Sequence, residues 1–166
     1  MKIIGFSEIN GAIQMVLKCD SSLLVNRKPF FIPDWSSDVR MTPCVALRVS
    51  RLGKNIGAQF ATRYYDAVAP ALNIVANDIV AQGNWVQGWA FDYSLPIGNF
   101  VGVERNPWHD TIISFDEAIH RASEVMTIRQ GDIIFIDRKI PSRALQHEEV
   151  IIESIDNEEL LYCKVK

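Results

Sequence analysis

Short apolar runs, separated by turns rich in glycine, proline and polar residues, recur along this chain. Apolar residues alternate with polar or small ones over residues 13–17 and 45–49, the pattern of strands that bury one face. Residues 1–5 also favour a strand, and the continuous apolar run 133–136 predicts a buried one. The dominant predicted element is therefore the β-strand.

Two segments have the spacing of helices. Apolar and aromatic residues recur every three or four positions over residues 56–68, which predicts an amphipathic helix. Pro70 is expected to end this helix, with a strand over residues 71–78. The second helix is expected to begin at Ser114, since Ser114 and Glu117 form a capping-box pair ahead of an apolar stripe.

Residues 150–155 and 160–165, joined by a turn at Asp156 and Asn157, predict a closing β-hairpin. Strands outnumber helices and the helices do not alternate with them, so the predicted class is α+β with a mixed or antiparallel sheet. Residues 1–166 contain no repeat or polar linker, which indicates a single domain.

The composition narrows the functional classes. Apolar residues make up 48% and charged residues 22% of the 166 residues, and the net charge is −3, which disfavours a nucleic-acid partner. No run is long enough for a membrane helix, and the N-terminal residues lack a signal-peptide pattern. The three cysteines are scattered. We therefore expect a cytoplasmic protein with reduced thiols.

Four segments resemble one known family in order and spacing. They are Thr42-Pro-Cys-Val-Ala-Leu-Arg-Val49, Ile74-Val-Ala-Asn-Asp78, Trp85-Val-Gln-Gly-Trp-Ala-Phe-Asp92 and Met126-Thr-Ile-Arg-Gln-Gly-Asp-Ile-Ile-Phe135. Together they are similar to the fumarylacetoacetate hydrolase family, of which this chain resembles a short, divergent member. The resemblance covers residues 41–166 as a core, with residues 1–40 as a degenerate N-terminal or lid part.

The resemblance implies a rolled, mixed β-sheet with two or so helices, and a homodimer. Family members hydrolyse, decarboxylate or isomerise diketo or 2-oxo acids, and a bound Mg²⁺ or Mn²⁺ steadies the enolate that forms. A histidine–glutamate pair on a lid activates water. Residues 10–17, where that lid motif would fall, contain neither residue.

Most of the family's metal-site positions are altered here. Two glutamates that bind the metal correspond to Cys44 and Ala46, and a lysine near the metal corresponds to Trp89. Asp78 matches the third ligand and is the one carboxylate retained. One carboxylate holds Mg²⁺ weakly, and the soft thiolate of Cys44 does not suit a hard cation. We therefore expect no cofactor, with Mg²⁺ or Mn²⁺ at Asp78 as the alternative.

The residues that the resemblance places around the old pocket are Cys44, Ala46, Arg48, Asp78 and Trp89. The first interpretation is a non-catalytic binding or interaction protein, a pseudoenzyme that takes a small carboxylate ligand.

The alternative is a retooled hydrolase, decarboxylase or isomerase for small diketo or 2-oxo dicarboxylic acids, using Asp78, Cys44, His109 and Arg48. In that case Arg48 would hold a carboxylate, and Trp89 would form an aromatic wall. His109, His120 and His147 are more simply explained as surface residues.

Overall fold

The computed structural model describes residues 1–166. Its strands are β1 (Ile3–Ile9), β2 (Ala12–Lys18), β3 (Leu23–Leu24), β4 (Val39–Val49), β5 (Tyr65–Ala76), β6 (Leu95–Pro96), β7 (Val101–Gly102), β8 (Ile133–Asp137), β9 (Arg143–Ala144), β10 (Val150–Ile155) and β11 (Glu158–Lys164). Its α-helices are α1 (Asn77–Ala81), α2 (Trp85–Trp89) and α3 (Phe115–Val125), and short 3-10 helices span Asp20–Ser22, Ala58–Arg63 and Val103–Arg105.

A seven-stranded sheet forms the centre of the molecule. Its strands run in the order β2-β1-β8-β4-β5-β7, and β9 also pairs with β4. The pairing is antiparallel except between β1 and β8, which are parallel. Residues 1–40, expected to form a lid part, thus supply β1 and β2 to the main sheet.

The two faces of β4 contact different parts of the core. Val45, Leu47 and Val49 point into the largest hydrophobic cluster, where α3 packs against the sheet. Cys44 and Ala46 point the other way, into a smaller cluster. Successive side chains of a strand alternate between faces. The predicted alternation over residues 45–49 is therefore confirmed, and both faces are buried.

Gly5 allows the ring of Phe135 to lie across β1. The two residues are paired in the β1–β8 register, and a Cβ at position 5 would lie 2.0 Å from Phe135 Cζ. Phe135 itself is fully buried. A larger residue at position 5 would push this ring out of its place beneath the polar end of the sheet.

Several sequence predictions are confirmed. The α+β class with a mixed sheet, the strands near residues 1–5, 13–17 and 133–136, and the closing hairpin are all present. The Ser114 cap also forms, since its Oγ accepts a hydrogen bond from the Glu117 amide. No helix in the chain is both long enough and apolar enough to cross a lipid bilayer.

The helix predicted over residues 56–68 is wrong. Only the 3-10 turn Ala58–Arg63 forms, and β5 begins at Tyr65 and continues through Pro70. β5 pairs with β4 along nearly its whole length, with Pro70 opposite Val45, and this tertiary pairing overrides the local helical spacing. The predicted strand 71–78 also ends early, because α1 begins at Asn77.

The close approach of Gly5 and Phe135 leads to a stability prediction. Gly5→Ala should lower the free energy of unfolding by about 1–3 kcal/mol, because the added methyl group overpacks the ring. In a Phe135→Ala background the same change should cost far less. Urea denaturation of the four proteins in this double-mutant cycle measures the coupling, and equal costs in both backgrounds would contradict the steric account.

Candidate ligand-binding site

A cavity of about 410 Å³ lies at the polar end of the sheet. On the Cys44 face, β4 continues outward through Thr42 and Arg40, and Thr42 stands directly opposite Asn73 of β5. The residues that line the cavity come from the β1–β2 turn, β4, β5, α1, α2 and the β8–β9 loop: Ser7, Glu8, Ile9, Asn10, Arg40, Thr42, Asn73, Val75, Asn77, Val80, Ala81, Trp85, Trp89 and Ser142.

A buried carboxyl group, Asp137 at the end of β8, joins two walls of this site. Ser7 Oγ donates to one carboxylate oxygen at 2.5 Å, and Asn73 Nδ2 lies 3.0 and 3.3 Å from the two oxygens. Burial raises the pKa of Asp137 to about 7, although the hydrogen bonds from Ser7 and Asn73 stabilise the carboxylate and lower the pKa in part. Asp137 lines a second cavity of about 570 Å³, which shares Ser7 and Thr42 with the first.

A buried lysine fixes the wall formed by α2. Lys18 Nζ donates to the carbonyl oxygens of Ile74 and Trp89 at 2.9 and 2.6 Å, and to Ser94 Oγ at 3.1 Å. Burial lowers the pKa of Lys18 to about 7. The three acceptors use all three protons of an ammonium group, and the Lys18 ammonium also lies 5.7 Å from the Trp89 ring centroid. Lys18 is therefore an anchor for Trp89.

Two buried polar atoms of the cavity lining have no hydrogen-bond partner in the protein. Asn73 Oδ1 is an acceptor and Trp89 Nε1 is a donor. Their residues are only 1% and 7% exposed. Buried polar groups are almost always paired, so these two atoms mark an incomplete hydrogen-bond network in residues that line the cavity.

The charged residues of the cavity lining are Arg40 and Glu8. The Arg40 guanidinium donates to the Ser142 carbonyl oxygen at 3.1 Å and lies 3.6 Å from an Asp38 oxygen. These contacts hold the guanidinium group at the cavity without enclosing it, since the side chain remains about one-third exposed. An arginine in this position can pair with a carboxylate.

Solved structures with the same chain fold were found, although no protein-family model and no curated protein sequence matches this chain. A fumarylacetoacetate hydrolase family protein from Yersinia pestis is 17% identical, with a TM-score of 0.85 over 99% of this chain and 92% of that one. The fumarylpyruvate hydrolase of Pseudomonas aeruginosa, solved with Mn²⁺ and pyruvate, is 17% identical, with a TM-score of 0.82 over 99% of this chain and 88% of that one. The 5-carboxymethyl-2-hydroxymuconate delta-isomerase of Mycobacterium smegmatis is 16% identical, with a TM-score of 0.84 over 99% of this chain and 78% of that one.

The chain has the fumarylacetoacetate hydrolase fold. The fold that the sequence resemblance implies is thus confirmed, and residues 1–40 belong to it. The homodimer implied by the same resemblance stays a prediction, which sedimentation velocity would test.

The two positions that the sequence resemblance matches to metal-binding glutamates lie in the core. Cys44 and Ala46 are buried at 2% and 0% exposure in a cluster of aliphatic side chains that also contains Phe135. Cys44 is paired with Asp137 in the β4–β8 register, and burial raises the pKa of its thiol. A buried thiol of this kind stays protonated and inert.

Asp78 stabilises a loop. Its carboxylate accepts from Ser36 Oγ at 2.6 Å and from the Ser37 amide and hydroxyl at 2.9 and 3.0 Å. The hydrogen bond from Ser36 contributes most to a pKa lowered to about 2. Asp78 does not line either polar cavity, so its oxygens are committed to the loop of residues 36–37.

The remaining predicted residues divide between the cavity and the surface. Trp89 lines the cavity. Arg48 forms an exposed ion pair with Asp66 at 2.8 Å, and His109 lies at a separate small cavity beside Trp108. The structure therefore does not bring Cys44, Ala46, Arg48, Asp78 and Trp89 together in one cavity.

The chain's donors do not fit the fold family's divalent cation. No group of three or more His, Cys, Asp or Glu side chains is arranged to hold a metal ion. A hard cation such as Mg²⁺ needs several oxygen ligands around one point. The half-buried Asp78 carboxylate accepts from Ser36. The buried Asp137 carboxylate accepts from Ser7 and Asn73.

The sequence analysis missed the four polar residues that form the site: Ser7, Lys18, Asn73 and Asp137. Each ends or interrupts an apolar strand on one face. Ser7 follows Ile3 and Gly5 at spacing two, and Asp137 follows Ile133 and Phe135 in the same way. A polar residue at the inward position of a buried strand was the available signal.

Removing the lysine anchor should cost stability. Lys18→Met should lower the free energy of unfolding by roughly 2–4 kcal/mol, because two carbonyl groups and the Ser94 hydroxyl lose their buried donor. Lys54→Met is the matched control, since Lys54 donates to the Glu124 carbonyl at 2.8 Å on the surface. Chemical denaturation that found the two variants equally stable would contradict the anchoring role.

The raised pKa of Asp137 predicts a pH dependence. The folded state keeps a proton on Asp137 up to about pH 7, whereas the unfolded chain, with a pKa near 3.8, has released it. Between these values the folded state binds more protons, so wild-type stability should fall as the pH rises from about 4 to 7. Lys18, whose pKa is lowered to about 7, changes the stability only above this pH range.

Urea denaturation at pH 5 and pH 8 would measure this effect. Asp137→Asn should be less sensitive to pH than the wild type across the same window, because the titrating group is gone. If the stability of the wild type rose between these pH values as steeply as that of Asp137→Asn, Asp137 would be ionised throughout.

Proposed function

We propose that this protein binds a small carboxylate in the cavity between β4, β5 and α2, without the divalent metal of its fold family. The observation that carries the proposal is the pair of buried, unpartnered atoms, Asn73 Oδ1 and Trp89 Nε1, in the lining of one cavity. A ligand with both a hydrogen-bond donor and an acceptor satisfies them. The desolvation cost of each orphan atom is then recovered as binding energy.

One side chain of the lining favours a carboxylate. Arg40 is positively charged, and its planar guanidinium suits a carboxylate. Glu8 is the negatively charged residue of the same lining. The Trp89 indole offers a flat apolar wall for the rest of a small ligand. The P. aeruginosa neighbour was solved with pyruvate, which makes pyruvate a reasonable first probe.

The donor set supports a binding role over the metal-dependent reaction. That reaction needs a cation to hold the enolate oxygen. Here Cys44 and Ala46 face the core, and the Asp78 carboxylate is engaged by Ser36 and Ser37. The protein is therefore proposed to act as a binding protein.

Titration calorimetry with pyruvate, in the presence of EDTA, tests the proposal. The wild type should bind one equivalent, and Trp89→Phe should weaken binding about fivefold or more, because the indole N–H is lost together with part of the aromatic wall. Trp35→Phe is the control, since Trp35 packs against Phe91 away from the cavity lining. Binding that requires Mg²⁺ or Mn²⁺, or rapid turnover of oxaloacetate, would overturn it.

A second candidate function is metal-free proton transfer, which the Asp137 carboxyl group favours. A base with a pKa near 7 at a cavity is suited to remove a proton beside a carbonyl group. Asp137 would take a proton from C3 of a 2-oxo acid, leaving an enolate, and return a solvent-derived one. This corresponds to the isomerase type of chemistry.

Deuterium exchange separates this candidate from simple binding. In D₂O the methyl protons of pyruvate should exchange faster with the wild type than with Asp137→Asn. Equal exchange rates for wild type, variant and buffer would leave binding as the function.

A further inference from the structure

Asn73 lies between the buried carboxyl group of Asp137 and the cavity. Its Nδ2 faces Asp137, while its Oδ1 has no partner in the protein. An ionised carboxylate only accepts hydrogen bonds, so it requires the amide nitrogen on its side. The amide oxygen is then the group left for a ligand.

Protonation of Asp137 removes this requirement. A neutral carboxyl group has a donor, and it can donate to Asn73 Oδ1 if the amide turns by about 180°, the familiar flip of an asparagine amide. The nitrogen of Asn73 would then be the group left for the ligand. The Ser7 hydroxyl can both donate and accept, so it tolerates either state of its Asp137 partner.

We propose that the Asp137–Asn73 pair is a proton-controlled selector, which presents a hydrogen-bond acceptor to the ligand when Asp137 is ionised and a donor when it is protonated. The inference rests on the proposed ligand site. It assigns Asn73 as the residue that determines whether the bound carboxylate carries a hydroxyl or an oxo group at its second carbon. Hydroxy acids are favoured in the first state and oxo acids in the second.

The residues around Asp137 determine the pH at which its carboxyl group loses the proton. Lys18 of β2 is positive and favours the ionised carboxylate of Asp137. Cys44 of β4 is paired with Asp137 and is a buried neutral thiol. The Arg138 guanidinium, which follows Asp137 in the chain, pairs instead with Asp110 and Glu153. Desolvation opposes the effect of Lys18 and raises the pKa of Asp137 to about 7. Both states are then populated around neutral pH.

Lactate and pyruvate are matched probes for this selector. Both are singly charged carboxylates over the range studied, and they differ in a hydroxyl or oxo group at one carbon. Their Kd values would be measured by calorimetry at pH 5.5 and pH 8.5. The preference for lactate over pyruvate should increase about fivefold or more at the higher pH, which corresponds to one hydrogen bond gained and one lost.

Variants separate the selector from other titrating groups. Asp137→Asn should make the preference independent of pH. Ser7→Ala should keep the pH dependence and move its midpoint upward, because the carboxylate loses a stabilising hydrogen bond. A dependence that survives in Asp137→Asn would point to Lys18 and would overturn the proposal.

An NMR measurement tests the selector without any ligand. The ¹H–¹⁵N signals of the Asn73 side-chain amide, assigned by their loss in Asn73→Leu, should titrate with a midpoint near 7 in the wild type. Signals that stay constant from pH 5 to pH 9 would overturn the selector. If the amide titrates but neither probe binds, the proposed carboxylate site fails and the selector stands.

Discussion

The antiparallel pairing of β4 with β5 is the constraint on which the rest of the structure depends. It joins eleven residues of one strand to twelve of the other, and β8 and β9 pair with the opposite edge of β4. The register places Thr42 opposite Asn73 and Cys44 opposite Asp137. A slip of one residue would turn these side chains to the other face and remove the site.

The candidate site is built around hydrogen-bonded polar groups at the end of the sheet. Two buried ionisable groups, Lys18 and Asp137, are each held by neutral partners and do not contact each other directly. Isolated buried charges are costly, and hydrogen bonds offset part of that cost. The consequence is a buried hydrogen-bond network in which Asn73 Oδ1 and Trp89 Nε1 are left without a partner.

The sequence predicted the sheet and the hairpin because their apolar alternation reflects burial directly. It failed over residues 56–68, where aromatic residues at helical spacing belong to a 3-10 turn and a strand that pairs with β4. Of the predicted pocket residues, Trp89 lies at the cavity. The parity along β4 was correct, but the cavity lies at Thr42 and Arg40, before Cys44.

The other site residues could not be predicted from local pattern. Lys18 reaches acceptors 56, 71 and 76 residues away, and nothing near it in sequence indicates those partners. The sequence around Asp137 predicts only the end of a buried strand. These contacts depend on tertiary pairing, which sequence periodicity does not encode.

The parallel pairing of β1 with β8 joins two segments that are far apart in the chain. Ser7 and Asp137 are 130 residues apart, as are Lys2 and Asp132. Closing so long a loop carries a large entropic cost and makes folding slow. During synthesis β1 leaves the ribosome long before β8 is made, so the Ser7–Asp137 contact forms only after residue 137 has been translated.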